Sequence, residues 1–178
     1  MIPLTRCSIS RTLSKQTPIP QEVDNLAELE PEPGVLIPEY IALSKDAVQG
    51  DSRAHVLLVY DWASHDEVSL GKYVLDHGPL SEPDAKIIFA RLYLAYESLF
   101  KNYRILLRDI SPDNIMFDPK SEIPRHFQFN GMVKVEKRSD MEDIPKGNSS
   151  MGFIPPEYVN NLTLPAGKLV SYQLGQLL

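Results

Sequence analysis

The sequence lacks several features that would point to particular classes of protein. It has 178 residues and one cysteine, Cys7, so no intrachain disulfide can form, which fits a reducing compartment. No apolar run approaches the roughly 18 residues that a membrane span needs. Lys and Arg number 18 against 24 Asp and Glu, and the net charge of -6 disfavours a nucleic-acid or anionic-membrane surface. We therefore predict a cytoplasmic protein whose partner is neither a nucleic acid nor a membrane.

The histidines give no sign of a metal site of the zinc type. The four in the chain, His55, His65, His77 and His126, show no paired spacing of the kind that such a site uses. The composition, 43% hydrophobic and 24% charged, is ordinary for a globular protein, whereas 15 prolines exceed the usual share of about one residue in twenty. The chain is long enough for one domain with a sizeable core.

The clearest predicted element is a helix that starts after Ser81. Ser81 is a good N-cap, Pro83 falls in the first helical turn, and Asp84 takes the third helical position, which is a variant of the capping box. Apolar residues then follow at steps of three and four: Ala85, Ile88, Phe89, Leu92, Tyr96 and Leu99. We interpret this stripe as core packing rather than as a cofactor site.

Two further elements are predicted upstream. Residues 21–29 carry apolar side chains at roughly helical spacing and are followed by Pro31 and Pro33, which predicts a short helix. Apolar segments at 35–43 and 55–60 flank a polar turn, which predicts a β-hairpin.

The residues from Leu106 to Asp118 carry the strongest functional pattern. Arg108 and Asp109 are followed by Asn114, five positions after the Asp, and then by an apolar run. Phosphoryl transfer needs a carboxylate beside the attacking hydroxyl and an amide oxygen nearby that holds a magnesium ion on the phosphates. One tight loop that leads into a strand can supply both groups.

This stretch resembles the catalytic loop of the protein kinases, H-R-D-L-x-x-x-N, with Leu107 in place of the histidine. The resemblance implies that Asp109 is the catalytic base, that Asn114 binds the metal ion, and that Arg108 docks the activation segment. Ser111 stands where serine/threonine kinases usually carry a lysine that helps to neutralise the transferred phosphate. ATP and Mg²⁺ are the cofactors that the resemblance implies.

The same resemblance implies a nucleotide site between two lobes. Asp61, Trp62 and Ala63 fall on the hinge, whose backbone groups bind adenine in the family. Glu67 falls where some kinases place an acid that touches the ribose or a basic substrate residue, although a solvated glutamate at a helix start is the alternative interpretation. The Gly-rich phosphate loop and the strand lysine of the family have no counterpart in the sequence.

Other catalytic positions of the family are changed. The resemblance places Phe129-Asn130-Gly131 over the D-F-G signature, and a shift by one residue makes Asn130 the metal ligand; a neutral amide binds a hard dication more weakly than a carboxylate does. Ser150 takes the place of the threonine that contacts the catalytic Asp. Val170 stands where the family has an Asp that holds the backbone of the catalytic loop.

The resemblance spans Gln21 to Leu178 and implies an α+β fold of a partial protein-kinase-like type. Residues 21–62 would be a remnant of the small-lobe sheet, and residues 63–178 a mainly helical part of the large lobe with the catalytic loop and activation segment. We expect residues 1–20 to be a disordered or truncated amino end.

The lost charges decide between the functions that the resemblance allows. Each is commonly worth a few kcal/mol of barrier, so several together should abolish turnover. The leading hypothesis is therefore a catalytically impaired protein-kinase-like domain, a pseudokinase or a fragment of one, that acts as a binding or regulatory module for a protein partner. The alternatives are an active serine/threonine kinase that transfers the γ-phosphate of ATP to protein hydroxyls, and a small-molecule kinase of the aminoglycoside or choline type, which the segment Pro155-Pro156-Glu157 disfavours.

Overall fold

The computed structural model describes residues 6–13, 21–44, 54–61, 66–129, 132–137, 144–145, 150–160 and 163–178, with backbone alone at 6–13, 21–22, 40–44, 54–61, 144–145, 159–160 and 163. These residues form a mixed α+β protein. The helices are α1 (Gln21–Ala27), α2 (Leu70–His77), α3 (Glu82–Tyr103), α4 (Glu157–Asn160) and α5 (Ala166–Leu177). The strands are β1 (Arg6–Leu13), β2 (Tyr40–Ser44), β3 (Ala54–Asp61), β4 (Val68–Ser69), β5 (Ile105–Leu106), β6 (Ile115–Asp118), β7 (Ile123–His126), β8 (Val133–Lys134), β9 (Ile144–Pro145) and β10 (Thr163–Leu164).

The first sheet has the antiparallel order β1-β3-β2. The predicted hairpin of two strands is present as β2 and β3, with Tyr40 opposite Val59. β1 pairs with β3 along its whole length, from Arg6 opposite Asp61 to Leu13 opposite Ala54. Residues 6–13 thus form an edge strand within the range where we expected a disordered or truncated end. Their sequence alternates apolar and polar residues except at Arg11, which obscures the period of two.

Helix α3 forms as its sequence predicts. The Oγ of Ser81 accepts a hydrogen bond from the Asp84 N–H at 3.4 Å, and the helix ends at Arg104, which has a left-handed φ of 59° and donates its N–H to the Phe100 carbonyl at 3.0 Å. The predicted stripe is confirmed as the buried face: Ile88, Leu92, Tyr96 and Leu99 are buried, and Ala85 and Phe89 are half-buried.

One hydrophobic core surrounds α3 and fixes the loop that follows it. Apolar side chains from α1, from residues 35–36, from β6 and from α5 pack into the same cluster, together with Leu107 and Ile110 on either side of Asp109. A second, smaller cluster joins Tyr158 to the start of α5.

Short strands frame this loop at both ends. β5, just before it, pairs with β8, and β6, just after it, lies between β4 and β7 in a second three-stranded antiparallel sheet. Residues 107–114 are therefore held on two sides by hydrogen-bonded strands. Within the described part of the chain, no helix is long and apolar enough to cross a membrane.

Candidate functional site

The structure brings Asp109 and Asn114 together in the loop between β5 and β6. A 3-10 turn over Pro112–Asn114 folds the chain back, and the Asn114 N–H donates to the Ser111 carbonyl at 3.0 Å. The Nδ2 group of Asn114 donates to the backbone carbonyl of Asp109 at 3.0 Å, and among the described residues none is seen to donate to the Asn114 Oδ1. The five-residue spacing read from the sequence is therefore a real spatial pairing.

Both oxygens of the Asp109 carboxylate accept hydrogen bonds from one residue, Ser150. The Ser150 backbone N–H donates to Oδ1 at 2.7 Å, and its hydroxyl donates to Oδ2 at 3.1 Å. The Ser111 hydroxyl lies 3.1 Å from the Ser150 hydroxyl. Because the single proton of Ser150 points to Asp109, Ser111 must donate and Ser150 accept. We call Asp109, Ser111 and Ser150 the serine latch.

The serine latch limits what Asp109 can do chemically. Ser111 is 1% exposed, so its hydroxyl is committed to the interior. Each Asp109 oxygen accepts one bond from Ser150 and keeps a second lone pair, so an incoming hydroxyl group would have to share the carboxylate with Ser150. The contact is the one that the resemblance implies for residue 150, between the threonine of the family and the catalytic Asp.

Arg108 lies beside Tyr158, in the helix that follows the 150–156 segment. Burial lowers the pKa of the Arg108 guanidinium from its ordinary value, an effect that the nearby Tyr158 opposes. Burial likewise raises the pKa of the Tyr158 hydroxyl, and Arg108 opposes that shift. The two side chains are thus electrostatic neighbours, and Arg108 faces the end of the segment that the resemblance assigns to it.

Glu67 is a buried residue rather than a solvated glutamate at a helix start. Its side chain is 1% exposed and forms an ion pair with Arg125 on β7, in which the guanidinium Nε and Nη2 donate to Oε1 at 3.0 and 2.6 Å, and Nη2 also contacts Oε2. Glu67 directly precedes β4 and Arg125 lies on β7, on the other side of β6, so the ion pair spans the central strand of this sheet. Glu67 is therefore not a solvated helix-start residue, and its carboxylate is paired within the chain.

The other positions proposed for the nucleotide are only partly described. Asp61 ends strand β3, where its backbone pairs with Arg6. Trp62, Ala63 and Asn130 lie outside the described residues.

Asn114 and Phe129 are the described residues at positions that the resemblance assigns to metal binding. Across the β6–β7 hairpin, the backbone neighbour of Asn114 is Phe127, whose N–H donates to the Asn114 carbonyl at 3.1 Å and whose side chain offers no oxygen. Phe129 is 1% exposed, with its ring centroid 5.7 Å from that of His126. Among the residues that the structure describes, no three His, Cys, Asp or Glu side chains are grouped so as to hold a metal ion. Asn114 alone is a weak site for a hard dication.

Gln173 is a buried polar residue that the sequence interpretation missed. Its amide bonds the backbone on both sides of Asp109: Oε1 accepts from the Ile110 N–H at 3.2 Å, and Nε2 donates to the Arg108 carbonyl at 2.8 Å. The sequence interpretation placed at Val170 the loss of a residue that bonds the backbone of the Asp109 loop. In the structure, Gln173, about one helical turn after Val170, makes such bonds. A glutamine within the apolar run of α5 was the signal available.

Comparison with known proteins adds no relative. No protein-family model matches this chain, and no curated protein matches it either. The likeness to the protein kinases is therefore carried by the motifs in the sequence and by their order along the chain.

Proposed function

We propose that this chain is a protein-kinase-like module that binds a protein partner and does not transfer phosphate. One observation carries the proposal: both oxygens of Asp109, the residue that the resemblance makes the catalytic base, accept hydrogen bonds from Ser150 of the same chain. A general base must be within reach of the proton that it removes. Here Ser150 already uses one acceptor site on each oxygen, so a substrate hydroxyl would have to compete with it for the carboxylate.

The loss of positive charge around Asp109 supports the same conclusion. Phosphoryl transfer is catalysed mainly by positioned cations that stabilise the charge of the transition state. Ser111, at the position where the resemblance implies a lysine, is a buried neutral hydroxyl bonded to Ser150. Phe129, where the resemblance places the metal-binding Asp of the D-F-G signature, is a buried ring without an oxygen. Each missing charge is worth a few kcal/mol of barrier.

Exposed apolar side chains support a protein as the partner. Leu94 on α3 is 61% exposed and lines a groove of about 490 Å³ with the partly exposed Ile123. Met151, next to the latch residue Ser150, is 97% exposed. Apolar groups of this kind are what a protein surface covers on binding.

The fold proposed for this function is the partial protein-kinase-like fold, with residues 21–62 as a small-lobe remnant and 63–178 as the large-lobe part. The order of α2, α3, the Asp109 loop, the β6–β7 hairpin and α5 supports it. The net charge of -6 supports a cytoplasmic protein without a nucleic-acid or membrane partner.

Radiolabelled phosphate transfer tests the proposal directly. Purified protein with ATP, Mg²⁺ and a set of generic protein substrates is expected to give no transfer above that of Asp109→Ala. Asp113→Ala is the matched control, because it removes a carboxylate from the same turn but not from the latch. Transfer that Asp109→Ala abolishes and Asp113→Ala retains would overturn the proposal.

An active serine/threonine kinase is the second candidate, and the pairing of Asp109 with Asn114 favours it. It predicts that ATP raises the melting temperature in a saturating manner and that the rise requires Mg²⁺, since a ligand bound only by the native state stabilises that state. The non-catalytic module predicts no magnesium requirement.

A further inference from the structure

Gln173 is a polar side chain with no exposed surface, and all three of its hydrogen bonds go to backbone groups in two separate segments. Two bonds flank Asp109, to the Arg108 carbonyl at 2.8 Å and to the Ile110 N–H at 3.2 Å. The third runs from Nε2 to the Phe153 carbonyl at 3.1 Å. Phe153 lies three residues after Ser150, the partner of Asp109.

The pattern of partners requires an amide. One partner, the Ile110 N–H, needs an acceptor, and the other two, both carbonyls, need donors, so the orientation of the Gln173 amide is fixed by its surroundings. A carboxylate at this position would face two carbonyl oxygens without a donor, and a buried charge in that setting is strongly unfavourable. A hydrocarbon of the same length would remove the partner of three backbone groups, one of them buried and two partly buried.

A turn connects Phe153, whose carbonyl Gln173 bonds, to Ser150. The Phe153 N–H donates to the Ser150 carbonyl at 3.0 Å, and Gly152 takes a left-handed φ of 90°, as the third residue of a type II turn does. Ser150 is therefore rigidly placed relative to Phe153. The hydrogen bond to the Phe153 carbonyl therefore also restricts the position of Ser150 relative to the Asp109 carboxylate.

We infer that Gln173 is a positioning residue that couples the Asp109 loop to the Ser150 segment and so keeps the serine latch closed. The inference deepens the proposed function and rests on it only in treating the serine latch as the site. The hydrogen bonds of Gln173 go to Arg108, Ile110 and Phe153 rather than to Asp109 or Ser150. Gln173 therefore positions Asp109 and Ser150 through residues next to them in the chain. Loss of its amide should release the two segments together.

Amide hydrogen exchange followed by NMR tests this coupling without any assay of activity. Gln173→Met keeps the length of the side chain and removes the amide. We expect the N–H groups of Ile110 and Ser150 to exchange about tenfold faster or more, beyond any change shared with slowly exchanging amides of α3 such as that of Leu92, because their bonding is lost locally.

Leu174→Ala is the matched control, since it removes a buried apolar side chain from the next position of α5 and no hydrogen bond to the loop. It should speed all slowly exchanging amides by one common factor. If Gln173→Met also changed the Ile110, Ser150 and Leu92 amides by one common factor, Gln173 would be a general stabilising residue and the inference would be wrong.

A second measurement needs no variant. In the unmutated protein, exchange of the Ile110 and Ser150 amides measured at increasing denaturant should follow one shared opening free energy, because a single amide couples the two segments. Separate opening free energies would overturn the coupling. Phosphate transfer by the unmutated chain would overturn the proposed function but not this result, so the two failures are distinguishable.

Discussion

The hydroxyl of Tyr96 donates a hydrogen bond to Nδ1 of His126 in the centre of the core, with the two atoms 3.2 Å apart. The direction follows from the other ring nitrogen: Nε2 lies 2.6 Å from the Gln128 carbonyl, which only accepts, so the proton of the ring must be on Nε2. His126 is completely buried. The neutral form of this histidine satisfies both contacts, because Nδ1 accepts from Tyr96 while Nε2–H donates to the Gln128 carbonyl.

The first prediction concerns stability against pH. Burial lowers the pKa of His126 from 6.5 to about 4, against the smaller raising effects of the Gln128 carbonyl and of Asp109. Between pH 6.5 and pH 4 the imidazole of His126 is protonated in the unfolded chain but stays neutral in the folded chain. The free energy of unfolding should therefore fall as the pH drops below about 6.5, and the loss should reach about 3 kcal/mol at pH 4. Urea unfolding at pH 7.5, 6.5, 5.5 and 5.0 measures this slope.

His126→Gln supplies the comparison, because its side chain offers a donor and an acceptor and does not titrate. It should reduce the dependence on pH over this range, whereas His77→Gln, at an exposed position, should leave it unchanged. Equal slopes for the unmutated protein and His126→Gln would contradict the prediction.

The second prediction concerns the Glu67–Arg125 pair. The Glu67 side chain is 1% exposed and that of Arg125 is 20% exposed, so a lone Arg125 can still reach water but a lone Glu67 cannot. Arg125→Met should therefore lower the free energy of unfolding by about 3 kcal/mol or more, and Glu67→Gln by less. The double variant should recover part of the loss, since it buries no unpaired charge.

A urea-unfolding cycle of these variants gives the coupling free energy. Lys120→Met is the control, because its pair with Asp66 joins two mostly exposed side chains, and exposed pairs are worth about 1 kcal/mol or less. A smaller loss for Arg125→Met than for Glu67→Gln would show that burial does not govern this pair.

The elements that could be predicted from the sequence are those whose own residues contain a local pattern. Helix α3 has a cap, a proline in its first turn and an apolar stripe, so its start and its buried face were both predicted correctly. Strands β4, β5 and β8 have two residues each, which is too short for any period to be seen. They exist because their neighbours offer backbone partners.

The candidate site shows the same division. Asp109 and Asn114 were found because their spacing lies within one turn, and their contact is local. The partners Glu67 and Arg125 are separated by 58 positions along the chain, and their contact depends on the order of strands in the sheet. Gln173 reaches residue 108 from 65 positions away. Long-range hydrogen bonds of this kind leave no periodic trace in the sequence.

The third prediction concerns the approach of the 32–36 segment to α3 at Gly34. Gly34 has a φ of +78°, and a Cβ added there would lie 2.8 Å from the Cβ of Ala95, which is closer than two carbon atoms can pack. Gly34→Ala should therefore be more destabilising than Gly78→Ala, whose φ is +87° but whose Cβ would meet nothing within 4 Å. Both positions have a φ that disfavours residues with a Cβ, and the clash with Ala95 is an additional cost at Gly34.

Thermal unfolding of the two variants gives this difference, and Ala95→Gly added to Gly34→Ala should restore the part that is due to the clash. Equal losses for Gly34→Ala and Gly78→Ala would mean that the segment moves away from α3 without penalty.

The fourth prediction separates a structural carboxylate from a catalytic one at Asp109. In the serine latch, Asp109 is the acceptor for the Ser150 N–H, so Asp109→Ala leaves that donor unpaired and should lower the free energy of unfolding by about 1–3 kcal/mol. Ser111→Ala removes one hydroxyl and keeps both bonds to Asp109, so its loss should be smaller.

Catalytic groups often lower the free energy of unfolding, because a charged group that is placed to contact a substrate lacks some of its hydrogen-bond partners in the free protein. An active kinase therefore predicts that Asp109→Ala unfolds at an equal or higher urea concentration than the unmutated chain. The closed latch predicts a lower midpoint, with Ser111→Ala in between. Since the closed latch predicts a lower midpoint and an active kinase an unchanged or higher one, the urea midpoint of Asp109→Ala favours one function over the other even where no substrate is known.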